Sequence, residues 1–315
     1  EIWAPRLHDL GEVEVKHGLR LRLFTLVDGD RGSGATPARV GELREEWNEE
    51  HRNHNLPTAL TSFIGREDQI EEVTGRLRET RLLTLTGAGG TGKTRLAIRV
   101  GEESLDEYPD GVWFVELASI SDPNLIANVV AAVLGVRDAS DQMDAGDVHE
   151  ASARPLMSTL TQYLQTQQAL LLLDNCEHLI EGAARFAETL LLACPALRIL
   201  ATSREILGVS GETTWNVPSL SMPNPAEDLA DVDLKQFEAA RLFVDRARAA
   251  RAGFALTDEN AGAVAAICRR LDGIPLAIEL AAARVRGMTV DQIHERLDDR
   301  FRLLTGGGRT SARRQ

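Results

Sequence analysis

The chain has 315 residues, of which 43% are hydrophobic and 26% are charged, and its formal net charge is −13. This length predicts about two domains, each large enough for its own core. The acidic balance argues against broad nucleic-acid binding by this part of the protein, because such binding needs a positively charged surface. It leaves room for a separate DNA-binding domain elsewhere.

The sequence favours a cytoplasmic protein with neither a membrane span nor a signal peptide, since no apolar run approaches about 18 residues. Three cysteines, Cys176, Cys194 and Cys268, lack C-x-x-C spacing. We expect them to be buried free thiols in a reducing compartment rather than metal ligands or disulfides. The chain begins and ends in mid-pattern, so we expect a fragment of a longer protein.

Residues 1–27 predict a β-hairpin, because apolar and charged residues alternate in two runs around a possible turn at His17-Gly18. The stretches 10–13, 16–18 and 22–27 resemble the C-terminal edge of class III nucleotide cyclase domains. An unrelated hairpin is the alternative. The metal-binding aspartates of such cyclases would lie upstream of Glu1, so the resemblance implies no cyclase activity for this chain.

Residues 28–58 are polar and rich in chain-breaking residues, which predicts a linker. His51 and His54 lie in it. We interpret both as solvated linker histidines, because no further metal ligands cluster nearby.

Residues 59–222 predict a P-loop nucleotide-binding domain of the α/β class. Amphipathic helices alternate there with short apolar runs at 81–86, 112–117, 169–175, 197–202 and 214–217. This alternation predicts a parallel five-stranded sheet with helices on both faces, whose ligand lies at the C-terminal ends of the strands. Within this region, residues 136–150 are acidic and irregular, which predicts an exposed loop.

Residues 226–304 predict a small helical domain, because the prolines from Pro218 to Pro225 end the strand pattern and only helical spacing follows. Thr257 is expected to cap one helix, and Thr289 with Gln292 to form a capping box before another. We expect residues 305–315 to be a flexible tail that leads to a missing downstream domain.

A phosphate-binding loop is predicted where the pattern G-x-x-x-x-G-K-[ST] occurs, after an apolar run and before a helical one. The residues of this pattern are Gly87, Ala88, Gly89, Gly90, Thr91, Gly92, Lys93 and Thr94. Glycines allow the loop to turn its N–H groups toward an anion, and the helix N-terminus adds partial positive charge. Lys93 would reach the β- and γ-phosphates, and the Thr94 hydroxyl would hold Mg²⁺.

Asp174 ends the most apolar predicted strand, so we expect its carboxylate beside the loop, holding Mg²⁺ together with Thr94. The alternative is an aspartate that only caps the next helix. Asn175 stands where many P-loop ATPases carry a second acid, and an amide cannot accept a proton from water. Glu177 could replace that acid, or it could be a glutamate that favours a helix N-terminus.

Arg204 follows the fourth predicted strand and is expected to face the phosphates, where it could sense or clamp a γ-phosphate. The alternative is a surface arginine paired with Glu205.

Five blocks together resemble the STAND class of signalling ATPases, close to NB-ARC domains and AAA-type ATPases. Within that class the sequence is most similar to bacterial ATPases that precede helical repeats and LuxR-type DNA-binding domains. The blocks are residues 63–67, the P-loop, 170–178, 201–205 and 273–277.

The resemblance implies that Ile64, Gly65 and Arg66 line the adenine side, and that Pro275 of the helical domain packs against the base or ribose. Arg95, which directly follows the loop, is also expected among the nucleotide-binding residues. Taken alone, residues 273–275 would be only a turn between two helices. A winged-helix domain, which follows in this class, is absent from this chain.

The sequence therefore predicts an ATP/ADP-binding switch module of a bacterial signalling or transcriptional regulator, with slow Mg²⁺-dependent hydrolysis. The catalytic candidates are Lys93, Asp174, Glu177 and Arg204. As partners we expect the nucleotide, further copies of the chain in the ATP state and missing effector domains that could bind DNA, but neither a membrane nor nucleic acid bound directly.

Three alternatives remain at this point. A ring-forming motor would need an arginine finger such as Arg300 or Arg302. A kinase or other phosphotransfer enzyme would need an acceptor pocket. A cyclase would depend on sequence upstream of this chain.

Overall fold

The computed structural model contains two compact units, Glu1–Arg52 and Asn53–Gln315. It describes the backbone of two strands in the first unit, and residues 53–136, 156–223 and 233–297 in the second. The predicted linker up to residue 52, most of the acidic loop, the tail, and Arg300 and Arg302 lie outside the described residues.

The first unit contains the predicted hairpin. Strands β1 (Leu7–Val15) and β2 (Leu19–Leu26) pair in antiparallel fashion, and the register shifts between Asp9 and Gly11. The pairing confirms two strands at the predicted place, whereas the link to cyclases stays a prediction.

The second unit is built on a five-stranded parallel sheet, which confirms the predicted fold class. In spatial order the strands are β4, β5, β6, β3 and β7. Their bounds are β3 (Leu82–Thr86), β4 (Val112–Glu116), β5 (Leu170–Asp174), β6 (Arg198–Thr202) and β7 (Thr213–Asn216). Strand β6 thus lies between the strand that precedes the P-loop and the strand that ends in Asp174.

Helices cover both faces of this sheet because its central strands are apolar on both sides. On one face lie α1 (Glu67–Glu79) and α2 (Lys93–Glu103). On the other lie α3 (Ile126–Leu134), α4 (Leu156–Leu164) and α5 (Ile180–Ala193). Alternate residues of β5 divide between the two cores, so that Leu170 and Leu172 face α2 while Leu171 and Leu173 face α5.

The edge of the sheet is covered by residues that the sequence assigned to the linker. The Val112 N–H donates to the Asn53 carbonyl over 3.0 Å, and the Asn55 side chain exchanges two hydrogen bonds with the Phe114 backbone, of 2.6 and 2.8 Å. Residues 53–55 therefore extend along β4, and the compact unit begins before residue 59. His54 accepts a bond from the Leu56 N–H.

In the described residues of the helical domain there are four α-helices, namely α6 (Glu238–Ala250), α7 (Asp258–Arg270), α8 (Pro275–Ala283) and α9 (Val290–Arg296). Phe243, Val264 and Ile278 are fully buried in their shared core. The predicted capping box of Thr289 and Gln292 is present.

The three cysteines are free and buried, as the sequence predicts. No helix in the described part of the chain is long and apolar enough to cross a membrane.

Candidate nucleotide-binding site

The P-loop connects β3 to α2 in the backbone conformation that its glycines permit. Gly87, Gly90 and Gly92 have φ angles of +145°, +81° and +89°, which side-chain-bearing residues rarely adopt. Helix α2 begins at Lys93, directly after the loop, so its free N–H groups point toward the loop. This is the geometry of an anion site.

The Lys93 ammonium folds over the loop and donates to the carbonyls of Gly87 (2.8 Å) and Ala88 (3.1 Å). Burial lowers its pKa, an effect that the nearby Glu177 carboxylate opposes. The charge of Arg204 lowers the pKa further. Two cations therefore lie close together at the loop, which suits a ligand with several negative charges.

Asp174 lies at the C-terminal end of β5 and is only 6% exposed. One carboxylate oxygen accepts 2.7 Å hydrogen bonds from the hydroxyls of both Thr94 and Thr202. Burial raises the pKa of Asp174, and these two bonds oppose the rise. The sequence predicted the contact with Thr94 but did not single out Thr202.

The Thr94 hydroxyl and the Asp174 carboxylate fit a magnesium site. Both are oxygen ligands, and Mg²⁺ usually keeps several waters and takes only one or two protein carboxylates plus substrate phosphates. Among the described residues no group of three or more His, Cys, Asp or Glu side chains could hold a metal ion by itself. Thr94 and Asp174 therefore suit a magnesium ion whose other ligands include a phosphate.

Arg204 pairs with Glu177 rather than with the predicted alternative Glu205, and the Nε–Oε1 distance is 3.2 Å. Arg204 is 61% exposed at its side chain, and its Nη2 lies 3.8 Å from where a Cβ on Gly89 would be. It therefore extends over the glycine loop. The other carboxylate oxygen of Glu177 is buried without a hydrogen-bond partner among the described residues.

Asn175 adopts a left-handed backbone conformation (φ +66°), and its N–H donates to the Thr202 hydroxyl over 3.0 Å. Its side-chain amide lies 3.3 Å from a ring nitrogen of His178. The contact with His178 therefore orients the Asn175 side-chain amide.

Ile64, Gly65 and Arg66 form a turn that contacts both the loop and the helical domain. Gly65 and Arg66 have φ angles of +73° and +69°. The Arg66 guanidinium is buried and donates to the carbonyls of Thr91 and Pro218, each over 2.8 Å. Its Nη1 is buried without a partner among the described residues. Ile64 packs against the helical-domain core.

The helical domain reaches the loop through the first turn of α8. The Leu276 N–H donates to the Gly90 carbonyl over 3.2 Å. Pro275 is the first residue of α8, and its Cγ lies 3.9 Å from where a Cβ on Gly92 would be. Pro275 is thus beside the loop, whereas its contact with a base or ribose stays a prediction.

Arg95 directs its guanidinium away from the loop. It forms a 3.1 Å ion pair with Glu279 and donates to the carbonyls of Thr61 and Ser62. Any contact with phosphate would come from its backbone N–H, so its part in nucleotide binding stays a prediction.

Sequence reasoning missed Glu238, which supports the Arg66 turn from α6. Its carboxylate accepts the backbone N–H groups of Arg66 (2.5 Å) and Ser221 (2.9 Å). An acid at a helix start was visible in the sequence, but nothing there indicated a partner 172 residues away.

Residues 76–207 match a family model that is described as an AAA domain. This part of the chain is therefore similar to AAA domains. The match spans the P-loop, Asp174 and Arg204, so these predicted site residues lie within the region that is similar to AAA domains.

Curated relatives extend the similarity beyond the AAA domain. A Mycobacterium tuberculosis protein named as a candidate HTH-type transcriptional regulator is 45% identical over 239 residues, which are 76% of this chain and 24% of that protein. A second M. tuberculosis protein, whose name states no function, is 39% identical over 82% of this chain and 60% of its own length. The regulatory protein AfsR of Streptomyces griseus is 29% identical over 79% of this chain and 24% of its own length.

The chain thus spans between about a quarter and three fifths of the length of these relatives. Among solved structures, a signal transduction ATPase with numerous domains from Pyrococcus horikoshii is 15% identical, with a TM-score of 0.47, over 78% of this chain and 33% of its own.

Proposed function

We propose that this chain is the ATP/ADP-binding switch module of a bacterial multidomain signalling or transcriptional regulator. The observation that carries the proposal is the hydrogen bond from the Leu276 N–H to the Gly90 carbonyl. It places the helical domain directly on the phosphate-binding loop of the AAA domain. A nucleotide bound at that loop would contact both domains and bias the angle between them.

The P-loop, the start of α2 and Asp174 have separate roles in this proposal. Lys93 and the α2 N-terminus bind the β- and γ-phosphates, and the glycine backbone of residues 87–92 surrounds them. Thr94 and Asp174 hold Mg²⁺ against the same phosphates. When bound, the ion neutralises phosphate charge.

The base side is formed by the turn of Ile64, Gly65 and Arg66 together with Pro275. The buried Arg66 Nη1, which lacks a partner among the described residues, supports a polar ligand atom there. This arrangement joins both domains through one ligand.

Arg204 distinguishes ATP from ADP in this account. It is exposed, lies over the loop and is held only by its 3.2 Å pair with Glu177 among the ion pairs of the described residues. A γ-phosphate offers several charged acceptor oxygens and allows bidentate hydrogen bonds, whereas Glu177 offers Arg204 one oxygen. Arg204 would therefore leave Glu177 and bind the γ-phosphate. This change of partner would shift the population of domain arrangements.

Hydrolysis is expected to be slow. Asn175 cannot act as a base, and Glu177 has one carboxylate oxygen paired with Arg204 and the other buried. Slow hydrolysis suits a switch, because the ATP state then persists.

The partners of the whole protein are part of the proposal. The relative named as an HTH-type regulator supports a DNA-binding effector domain outside this chain. We propose that the ATP state assembles with further copies of the chain.

The nucleotide that the purified protein retains tests this function. Denaturation of the protein should release ADP or ATP in near-stoichiometric amount. Lys93→Ala should release none, whereas Lys235→Ala, an exposed lysine of the helical domain, should match the wild type. Wild-type protein that retains and binds no adenine nucleotide would contradict the proposal. Fast ATP turnover that rises with protein concentration would instead favour a motor.

A further inference from the structure

The sheet domain and the helical domain contact each other at a second place, one helical turn further along α8 from the P-loop. Glu279 follows Pro275 by four residues on α8, and Arg95 follows Lys93 by two residues on α2. Ser62 precedes Arg66 by four residues. The three segments that surround the P-loop therefore meet again at these side chains.

Two arginines bridge the same two oxygen atoms at this point. Arg95 donates to Glu279 Oε1 (3.1 Å) and to the Ser62 carbonyl (2.8 Å). Arg246 of α6 donates to Glu279 Oε1 (2.9 Å) and to the Ser62 carbonyl (2.8 Å). We name these four residues the Glu279 network.

The network is tied to its surroundings by further polar contacts. Arg246 also donates to the Ser62 hydroxyl (3.0 Å) and pairs with Asp245. The Ser62 hydroxyl in turn donates to Asp245 over 2.9 Å. Each guanidinium is thus held at several acceptors, which fixes its orientation.

Arg246 and Glu279 are more deeply buried than the partners of a surface ion pair elsewhere in the second unit. The Arg246 side chain is 10% exposed and that of Glu279 is 28% exposed, whereas both partners of the Arg76–Glu72 pair exceed 40%. Surface pairs contribute little, because water screens them. Partly buried charges interact more strongly, and two guanidinium groups that share acceptors would repel one another without the carboxylate between them.

We propose that Glu279 is a positioning residue for nucleotide binding. It attracts both Arg95 and Arg246 and thereby holds the P-loop helix, the segment before the Arg66 turn and the Pro275 helix in the arrangement that receives the base. The inference rests on the proposed function above. It adds a residue that would contact no nucleotide and would act on affinity through domain placement.

Two ligands separate this role from general damage to the fold. Inorganic pyrophosphate with Mg²⁺ would contact only the loop, whereas ADP also needs the Arg66 turn and Pro275. Loss of the network should therefore weaken ADP binding and leave pyrophosphate binding unchanged. A merely structural defect would weaken both.

The experiment is calorimetric titration of Glu279→Ala with ADP and with pyrophosphate. We expect ADP affinity to fall about tenfold, within the usual range for coupling between sites, and pyrophosphate affinity to stay within twofold. Glu103→Ala is the matched control, because Glu103 pairs with Arg99 within α2 and does not reach the helical domain.

A double substitution gives the sharper test. Because Arg95 and Arg246 should repel each other once Glu279 no longer lies between them, adding Arg95→Ala to Glu279→Ala should restore part of the ADP affinity rather than reduce it further. If Glu279→Ala does not fold, Glu279→Gln, which keeps an acceptor oxygen without the charge, takes its place with a smaller expected loss.

Unchanged ADP affinity, an equal loss for pyrophosphate, or a further loss in the double variant would overturn the proposal. Wild-type protein that binds neither ligand would overturn the proposed function and this inference together. Wild-type protein that binds both, with no effect of Glu279→Ala, would overturn only this inference.

Discussion

The Thr94 hydroxyl donates a 2.7 Å hydrogen bond to a carboxylate oxygen of Asp174, although the two residues are 80 positions apart in sequence. The bond connects the end of the P-loop to the end of β5, across the position of β6. Thr202, at the end of β6, donates to the same oxygen. Two neighbouring strand ends and the first turn of α2 thus meet at one buried carboxylate.

Asp174→Asn should stabilise the ligand-free protein while removing its response to Mg²⁺. Burial raises the pKa of Asp174, so the folded state binds its proton more tightly than the unfolded state does. The contribution of protonated Asp174 to the free energy of unfolding is therefore lost as the pH rises from the ordinary carboxyl range through the raised pKa. At neutral pH, loss of the charge should add roughly 0.5–2 kcal/mol to the free energy of unfolding.

Thermal unfolding without Mg²⁺ measures this gain, and ATP titration with and without Mg²⁺ measures the loss. Asp122→Asn is the control, because asparagine also caps a helix well and the residue is exposed. A destabilised Asp174→Asn variant that still responds to Mg²⁺ would contradict the assignment.

Thr202→Val should lower stability by about 1–3 kcal/mol, because the change removes a donor to Asp174 and the acceptor of the Asn175 N–H in a buried place. Since the Thr202 bond opposes the rise in the pKa of Asp174, this pKa should rise further. Urea unfolding checks the first effect, and ATP affinity with Mg²⁺ at mildly acidic pH, where it should fall, checks the second. Thr189→Val, on the exposed side of α5, should change neither.

Gly65→Ala should destabilise the protein by roughly 1–3 kcal/mol and weaken ADP binding. The φ of Gly65 is +73°, and an added Cβ would lie 2.7 Å from a Glu238 oxygen. Gly75→Ala is the matched control. A Cβ there meets no atom within 4 Å, and alanine inside α1 should add up to about 1 kcal/mol. Equal effects of the two substitutions would argue against a constrained turn at Gly65.

Arg204→Ala should separate ATP from ADP binding. Loss of a charge-assisted contact to the γ-phosphate should lower ATP affinity about tenfold or more, while ADP affinity stays unchanged. Stability should change little, because the Arg204–Glu177 pair is largely exposed on the arginine side. Calorimetric titration of both nucleotides tests this, with Arg185→Ala as a surface control. An equal loss for both nucleotides would remove the sensor role.

The sequence predicted the sheet because its signals are local. The apolar run before Asp174 and the glycine pattern before Lys93 each fix a strand end or a helix start within a few residues. The convergence of Lys93, Asp174 and Arg204 then follows from parallel topology, since the carboxyl ends of the strands share one edge.

Contacts between distant segments were beyond such reasoning. The Glu279 network joins four segments of the chain. Each of its charged side chains, considered alone in the sequence, indicates only an exposed helix face. Residues 53–55 have a polar composition that is typical of a linker, yet their backbone and side-chain amides pair with β4. Hydrogen bonds between segments more than 50 residues apart produce no periodic pattern in the sequence.

The distance between the two domains of the second unit tests the central claim most directly. Fluorescence energy transfer between a dye on α5 and a dye on α7 should differ between the ADP complex and the ATP complex with Mg²⁺. Arg204→Ala should remove this difference while both nucleotides still bind at saturating concentration. Identical transfer efficiencies in the two wild-type complexes would contradict a nucleotide switch.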